Sequence, residues 1–445
     1  MRIEKDSLGR IPVPDEALYG AGTARSMSHF DVAGEPMPRE ILQAMFRLKW
    51  ACAEANRRVG GLPEQKASAL IAACREALDG RLDSQFPLDV LQAGSGTSSN
   101  MNVNEVLANR ACEILGGKRG DRGLVHPNDD VNRGQSTNNI FPSALRVACV
   151  LRIPDLFREL DGLVGELRAR QTEFADVLKC GRTHLQDAVP VTLGQEFGAW
   201  ARALEKARGR IEAGREGLLE LGVGGNAIGT GLNTSREFRP AILDAIAEIT
   251  GAPFRIPVDG IEITQFLTDL AQFSAALRLL AADIRKICGD LRLLASGPNT
   301  AIGEIRLPAV EPGSSIMPGK VNPSICEAAT MACLAVMGYD HAVSLACADG
   351  QLELNTHMPV VGWMLMRSIG TLERTCRMLA VHGIRGIEAR RDVCALNFER
   401  SAGLATILNP RLGYDRVAEL VKESLATGQT LRELALAKKL ITPDE

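Results

Sequence analysis

Two stretches of the chain carry an apolar seam that repeats every seven residues. In the first, Leu193, Phe197, Trp200, Leu204, Ala207, Ile211, Gly214, Leu218 and Leu221 alternate spacings of four and three. Ile263, Phe266, Leu270, Phe273, Leu277, Leu280, Ile284, Ile287, Leu291 and Leu294 do the same in the second. A helix turns once per ~3.6 residues, so this spacing keeps one narrow face toward a near-parallel neighbour along its whole length. Both runs greatly exceed the ordinary helix of about 11–12 residues. A bundle within one subunit and a bundle shared between subunits both satisfy the pattern. Leu267, Ala271, Ala281 and Leu293 lie off the seam, widen the apolar face and favour the shared bundle. Aromatic residues are only 4% of the chain, which favours helix over sheet.

The remaining chain is read as helices joined by polar loops. Residues 1–40 are expected to be a loosely wound start, with helical patterning from Pro38 and over Gln65–Leu78. Leu408-Asn409-Pro410 is expected to break a small helical tail that begins near Cys394, with short helices at Tyr414–Leu425 and Thr430–Lys438. A formal net charge of −3 argues against a nucleic-acid partner. No uninterrupted apolar run approaches the roughly 18 residues of a membrane span, so no membrane partner is expected. The charged start, Met1 to Asp6, is unlike a secretory signal. Eleven scattered cysteines without a CxxC pair read as buried thiols of a reducing compartment, and a cytoplasmic location is expected.

Four loops are chemically distinctive. Gly313-Ser314-Ser315-Ile316-Met317-Pro318-Gly319-Lys320-Val321-Asn322-Pro323 sets two hydroxyls, one amide and a single cation among glycines and prolines, just ahead of an apolar run, Ile325 to Val343. Ala93–Asn100 is small and hydroxylated and leads into a helix, Met101 to Leu115; taken alone, its hydroxyls are read as a helix cap. In His126–Asn139 polar side chains predominate, and His126 with Asp129 and Asp130 has the types of a metal site. Pro127 argues against a helix that would present them on one face, so no metal is expected. Cys180–Pro190 carries Thr183 and His184 shortly before the first seam. Gly222–Gly231 is glycine-rich, but a long helix precedes it where a dinucleotide fingerprint needs a strand, and it is read as an inter-helix connection. Polar loops that feed helix N-termini, together with Lys320, suit a small dicarboxylate without a cofactor.

Gly313–Pro323 resembles the GSSxMPxKxN signature of the fumarase/aspartase superfamily. Ala93–Asn100, Val125–Asn138, Gly181–Glu196 and Gly229–Asn233 resemble that family's other active-site regions in the same order. The resemblance implies an all-α, three-domain lyase with a central long-helix bundle, divided at 1–136, 137–393 and 394–445. It implies a homotetramer with a twenty-helix core and active sites shared by three subunits. The implied chemistry is anti elimination from a C4 dicarboxylate through an aci-carboxylate dianion, with fumarate released and no cofactor. Ser314 would take the proton, Lys320 and Asn322 would grip one carboxylate, and His184, paired with Glu327, would handle the leaving group. Ser95, Thr97, Ser136, Thr137, Asn138, Thr183 and Ser315 match further substrate contacts. His126, Asn128 and Asp129 match a second dicarboxylate site.

The leaving group is expected to be ammonia, as in an aspartate ammonia-lyase. Ser136-Thr137-Asn138, Asp187–Pro190, Gly350–Asn355 and Asp290–Leu294 resemble aspartases. Val125–Asn132, Glu311-Pro312 and Cys326-Glu327-Ala328 resemble fumarases, which makes fumarate hydratase the alternative. A catalytically silent dicarboxylate-binding relative is the third reading. Asn139, Asn299 and the Tyr19–Thr23 segment depart from the family pattern and leave a substituted C4 acid open.

Overall fold

The computed structural model describes residues 1–442. It is an all-α fold with small two-stranded pieces. In chain order come β1 (Arg2–Asp6), β2 (Gly9–Val13), α1 (Ala21–His29), α2 (Arg39–Arg58), α3 (Glu64–Leu78), α4 (Thr97–Ile114) and α5 (Thr137–Glu173). They are followed by β3 (Leu178–Thr183), β4 (Gln186–Thr192), α6 (Leu193–Leu218), α7 (Phe238–Thr250), α8 (Glu262–Gln265) and α9 (Thr268–Leu294). The last part holds β5 (Ile305–Arg306), α10 (Ser324–Ala348), α11 (Met358–Met378), β6 (Glu388–Ala389), α12 (Arg391–Arg400), α13 (Ala405–Leu412), α14 (Tyr414–Thr427) and α15 (Leu431–Ala437).

Two compact units emerge: residues 1–156, 209–279 and 335–372 form the first, and 157–208, 280–334 and 373–442 lie in the second. In the first, α2 presents Ile41, Met45, Leu48 and Cys52 to the core, and the Phe46 and Phe86 rings pack with centroids 4.9 Å apart. Ile211, Leu218, Leu270, Phe273 and Leu277 of the two seams are buried there. In the second, Phe197, Trp200, Leu204, Leu280, Ile284 and Leu291 continue the seams, with Phe197 edge-on to Phe174 at 5.4 Å and tilted against Trp200 at 4.7 Å. Leu267 and Ala281 are buried within the chain, whereas Leu293 is exposed.

Several local expectations fail for identifiable reasons. The start is ordered: β1 and β2 form an antiparallel hairpin pairing Arg2 with Val13 through Asp6 with Gly9. Arg2 locks it by donating to the carbonyls of Pro14, Ala17 and Tyr19. The second seam is not one helix, because the chain turns extended at Phe266 (ψ 135°), which is half exposed, and α9 begins two residues later. Pro410 lies inside α13 near its end, and the helix stops instead at Gly413 in a positive-φ conformation. Helix α10 is long and apolar enough to cross a membrane by length and composition, with a mean hydropathy of 1.4. Its ionisable Glu327, Asp340 and His341 interrupt the apolar sequence, which is why no uninterrupted run stands out there, and Asp340 pairs with Arg278 of α9 at 2.8 Å. All eleven cysteines are buried and unpaired.

Candidate active site

In the first unit, the Ala93–Asn100 segment enters α4 through Ser95 (φ 58°) and Gly96 (φ 79°), both left-handed. Gly96 is dictated by close approach, since a Cβ there would lie 2.3 Å from the Phe141 ring. The expected hydroxyl cap is not made: no side chain caps α4. The hydroxyls of Ser95 and Thr97 lie 3.2 Å from each other, and Gln92 Oε1 accepts the Ser99 N–H at 2.7 Å. Thr97 is therefore exposed at a helix start, where unpaired N–H groups favour an anion.

The neighbouring loop supplies a second helix start. Ser136 caps α5: its Oγ accepts the Asn138 N–H at 3.3 Å and its carbonyl accepts those of Asn139 and Ile140. Thr137 Oγ1 accepts from Asn100 Nδ2 at 2.9 Å, which ties the two helix starts together. Asn138 Nδ2 donates to the Ala227 carbonyl at 2.8 Å, within the glycine-rich connection. His126 accepts the N–H groups of Asn128 and Asp129 on Nδ1, both at 3.1 Å, and caps the turn Pro127–Val131. Nδ1 thus acts as an acceptor within the turn, and Asp129 Oδ2 lies 3.4 Å from it. Asn128 and Asp129 are both exposed.

Two residues missed in the sequence lie behind this loop. Asn100 is the bridge just described. Lys49 of α2 is buried and donates to Asn132 Oδ1 at 2.8 Å and Gln135 Oε1 at 2.9 Å. Burial pulls its ammonium down from the usual lysine value to about 7. The available signal was a lysine set one residue after Leu48 in the buried stripe of α2.

The Tyr19–Thr23 segment, which departs from the family pattern, has a structural role. Gly20, Gly22 and Thr23 give backbone N–H groups, and Thr23 its hydroxyl, to the buried Glu105 carboxylate. Asn139 is buried beside Gly225, and neither end of its amide has a partner among the described residues.

In the second unit, Cys180–Pro190 is not a loop but a hairpin. β3 and β4 pair Thr183 with Gln186 across a two-residue turn. His184 (φ 55°) and Leu185 (φ 60°) are both left-handed, as a type I′ turn requires. For non-glycine residues this conformation costs about 1 kcal/mol or more each, strain of the kind found at working sites. Thr183 and His184 are exposed at the tip.

A buried ion cluster holds the hairpin from beneath. Glu304 is 0% exposed and takes Arg182 through two oxygens at 2.8 and 3.1 Å, and Lys179 at 3.1 Å. Lys179 also reaches Glu196 at 2.9 Å. Burial alone would raise the Glu304 carboxyl, but the Arg182 hydrogen bonds and the Lys179 charge outweigh it and hold it below the usual range. Burial raises Glu196. A cavity of about 430 Å³ opens at this cluster, lined by Lys179, Arg182, Leu185, Glu196 and Trp200.

The Gly313–Pro323 loop folds on itself. The Gly313 N–H donates to the Lys320 carbonyl at 3.0 Å, so close that a Cβ on Gly313 would lie 2.4 Å from that oxygen. Asn322 Nδ2 donates to the Gly313 carbonyl at 2.7 Å. Ser314 Oγ accepts the N–H groups of Ile316 at 3.2 Å and Met317 at 3.1 Å. The loop bounds an open cleft of about 450 Å³, with Ser314 and Lys320 on its wall. Lys320 and Ser315 are exposed, and Lys320 forms no ion pair among the described residues. Within the chain, no hydrogen bond or ion pair joins His184 to Glu327; the latter faces Arg292 at 3.9 Å.

Two family descriptions match the chain: "Lyase" over residues 9–338 and "Fumarase C C-terminus" over 404–445. A class II fumarate hydratase from Chromobacterium violaceum is 48% identical, covering 98% of this chain and 95% of the relative. One from Myxococcus xanthus is 45% identical, covering 100% and 96%. Among solved structures, a class II fumarase from Schistosoma mansoni superposes with a TM-score of 0.96 at 37% identity, covering 100% and 96%. A fumarate lyase:delta crystallin from Brucella melitensis gives 0.96 at 44% identity, covering 98% and 95%.

These relatives overturn the expected aspartate ammonia-lyase activity: near full length, they are fumarate hydratases. Two of the residues that suggested ammonia do structural work. Asn355 is buried and donates to the Ala346 and Cys347 carbonyls at the end of α10. Asp290 pairs with Lys286 one turn away on α9. Likeness at such positions reports helix packing rather than the leaving group.

Proposed function

We propose, for a chain that belongs to the fumarase/aspartase superfamily of lyases, that it interconverts fumarate and L-malate as a fumarate hydratase. The observation that carries the chemistry is the Ser314 hydroxyl, held by the two N–H groups of Ile316 and Met317. A serine is a weak base until its alkoxide is stabilised, and two fixed backbone donors supply that stabilisation without reorganisation. Ser314 then takes the proton from the carbon beside one malate carboxylate. The electron pair moves into that carboxylate, and Lys320 and Asn322 compensate the resulting dianion. Collapse of the aci-carboxylate breaks the C–O bond, and His184, with Glu327, passes a proton to the departing hydroxide as water forms.

Ser95, Thr97, Ser136, Thr137, Asn138, Thr183 and Ser315 serve as contacts to the substrate's carboxylates and hydroxyl. His126, with Asn128 and Asp129, forms a second dicarboxylate site beside a capped turn. The active unit is a homotetramer whose sites draw on three subunits, which would bring His184 of one chain to the signature loop of another. Met331, Leu334 and Leu345 on α10 are 65, 49 and 61% exposed, an apolar face suited to a second copy. The division into 1–136, 137–393 and 394–445 accompanies this reading.

The test follows the ultraviolet absorbance of fumarate with purified protein, with and without ammonium. Loss without ammonium, with malate formed, supports the hydratase; turnover that requires ammonium and yields aspartate overturns it. Ser314→Ala is expected to abolish turnover with folding unchanged. An active variant would remove Ser314 as the base.

A further inference from the structure

The buried Lys49 is a cation without an anion. Its side chain is 2% exposed, and no carboxylate lies within ion-pair distance of it among the described residues. Its fixed partners are amide oxygens, those of Asn132 and Gln135. The ionisable groups that face it are Cys52 on its own helix and Cys74 on α3, both buried thiols pushed up to about 12 and so neutral. Isolated buried charges are expensive and persist where a partner arrives later or the charge is given up.

The hydrogen bonds around it lead in one direction. Asn132 donates from Nδ2 to the Gln135 carbonyl at 3.1 Å, and Gln135 donates from Nε2 to the Val131 carbonyl at 2.9 Å. The Oδ1 of Asn132 that takes the Lys49 ammonium also receives Asn100 Nδ2 at 3.3 Å. Asn100 reaches Thr137 Oγ1 at 2.9 Å. The remaining oxygen of Asn100 is buried and unpartnered. The ammonium thus stands behind the helix start that carries Thr137 and Asn138, on the side away from solvent.

We infer that Lys49 is a positioning residue of the substrate site: it sets the 132–138 loop through Asn132 and Gln135, and takes its missing counter-charge from the bound dicarboxylate. This rests on the assignment of Thr137 and Asn138 to the substrate. Linkage then makes binding and protonation reciprocal. In the free protein the depressed ammonium gives up its proton from about pH 7 upward, and a dianion entering the site draws one back. Affinity for a dicarboxylate therefore weakens as pH rises above 7. A purely structural lysine would leave that affinity flat.

The test uses succinate, an unreactive C4 dianion, with binding to the full-length protein measured by calorimetry from pH 6 to 9. Wild type is expected to lose at least fivefold in affinity between pH 7 and 9. Lys49→Arg keeps a charge throughout that range and should flatten the profile. Lys49→Met should weaken succinate at pH 6.5 about tenfold and raise KM more than it lowers kcat. A flat wild-type profile, or a slope that persists in Lys49→Arg, overturns the inference. The wild-type and arginine measurements decide it even if the methionine variant does not fold. Because succinate binding needs no turnover, absent fumarate hydration with the slope intact would remove the hydratase reading and leave Lys49 in its role.

Discussion

Replacing Glu304 with glutamine changes one charge at a completely buried position and leaves its shape. The four charges of Lys179, Arg182, Glu196 and Glu304 cancel, so Glu304→Gln leaves the cluster with one uncompensated positive charge. With an effective dielectric of about 20, the attraction is roughly 6 kcal/mol at 2.8 Å to Arg182 and about 5 kcal/mol at 3.1 Å to Lys179. Desolvation of the carboxylate offsets much of this, and breaking a buried pair by removing one partner costs about 3–5 kcal/mol. The loss is read as a lowered denaturant midpoint and as faster amide exchange over Leu178–Thr192, the hairpin with His184 at its tip. Adding Lys179→Met restores electrical neutrality, so the double variant should recover about 1–3 kcal/mol relative to additivity. A single-variant loss below about 1 kcal/mol, or strictly additive losses, would refute the idea that this cluster anchors the hairpin.

Three further outcomes are expected. Gly96→Ala forces a Cβ to 2.3 Å from the Phe141 ring in a left-handed conformation, and should cost about 2–4 kcal/mol, with unchanged stability contradicting the packing at the start of α4. Leu185 is 67% exposed with φ 60°, so Leu185→Gly should be neutral or up to about 1 kcal/mol stabilising by denaturation, and a loss beyond 1 kcal/mol would refute the strained turn. Burial pushes Cys52, Cys74, Cys149, Cys333, Cys347 and Cys394 up to about 12, against an ordinary thiol value of 9.0. The folded chain keeps protons that the unfolded chain releases, so their contribution is complete below pH 9 and is lost from 9 to 12, at about 1.4 kcal/mol per thiol per pH unit. Lys49 acts with the opposite sign between about 7 and 10.5, but as a single group it is outweighed. Urea midpoints should therefore drop steeply from pH 9 to 10; a flat profile would mean the thiols are accessible in the folded state.

What the sequence determined by itself was whatever repeats or closes locally. Seven-residue periodicity marked Phe197, Leu204, Phe273 and Ile284 as buried, because a helix converts regular spacing into a continuous face. The donors to Ser314 come from two and three residues along the chain, so that part of the candidate site is written into its own loop. The seam failed at Phe266, where the chain turns extended, because periodicity records the apolar residue and not the break. Only tertiary structure decided the rest. Arg182 meets Glu304 from 122 residues away, Lys49 meets Asn132 from 83, and His184 stands on a hairpin with no alternating pattern to announce it. Such pairings, and the charges that burial isolates, depend on which surfaces lose water together, and that is fixed only when distant segments of the chain pack.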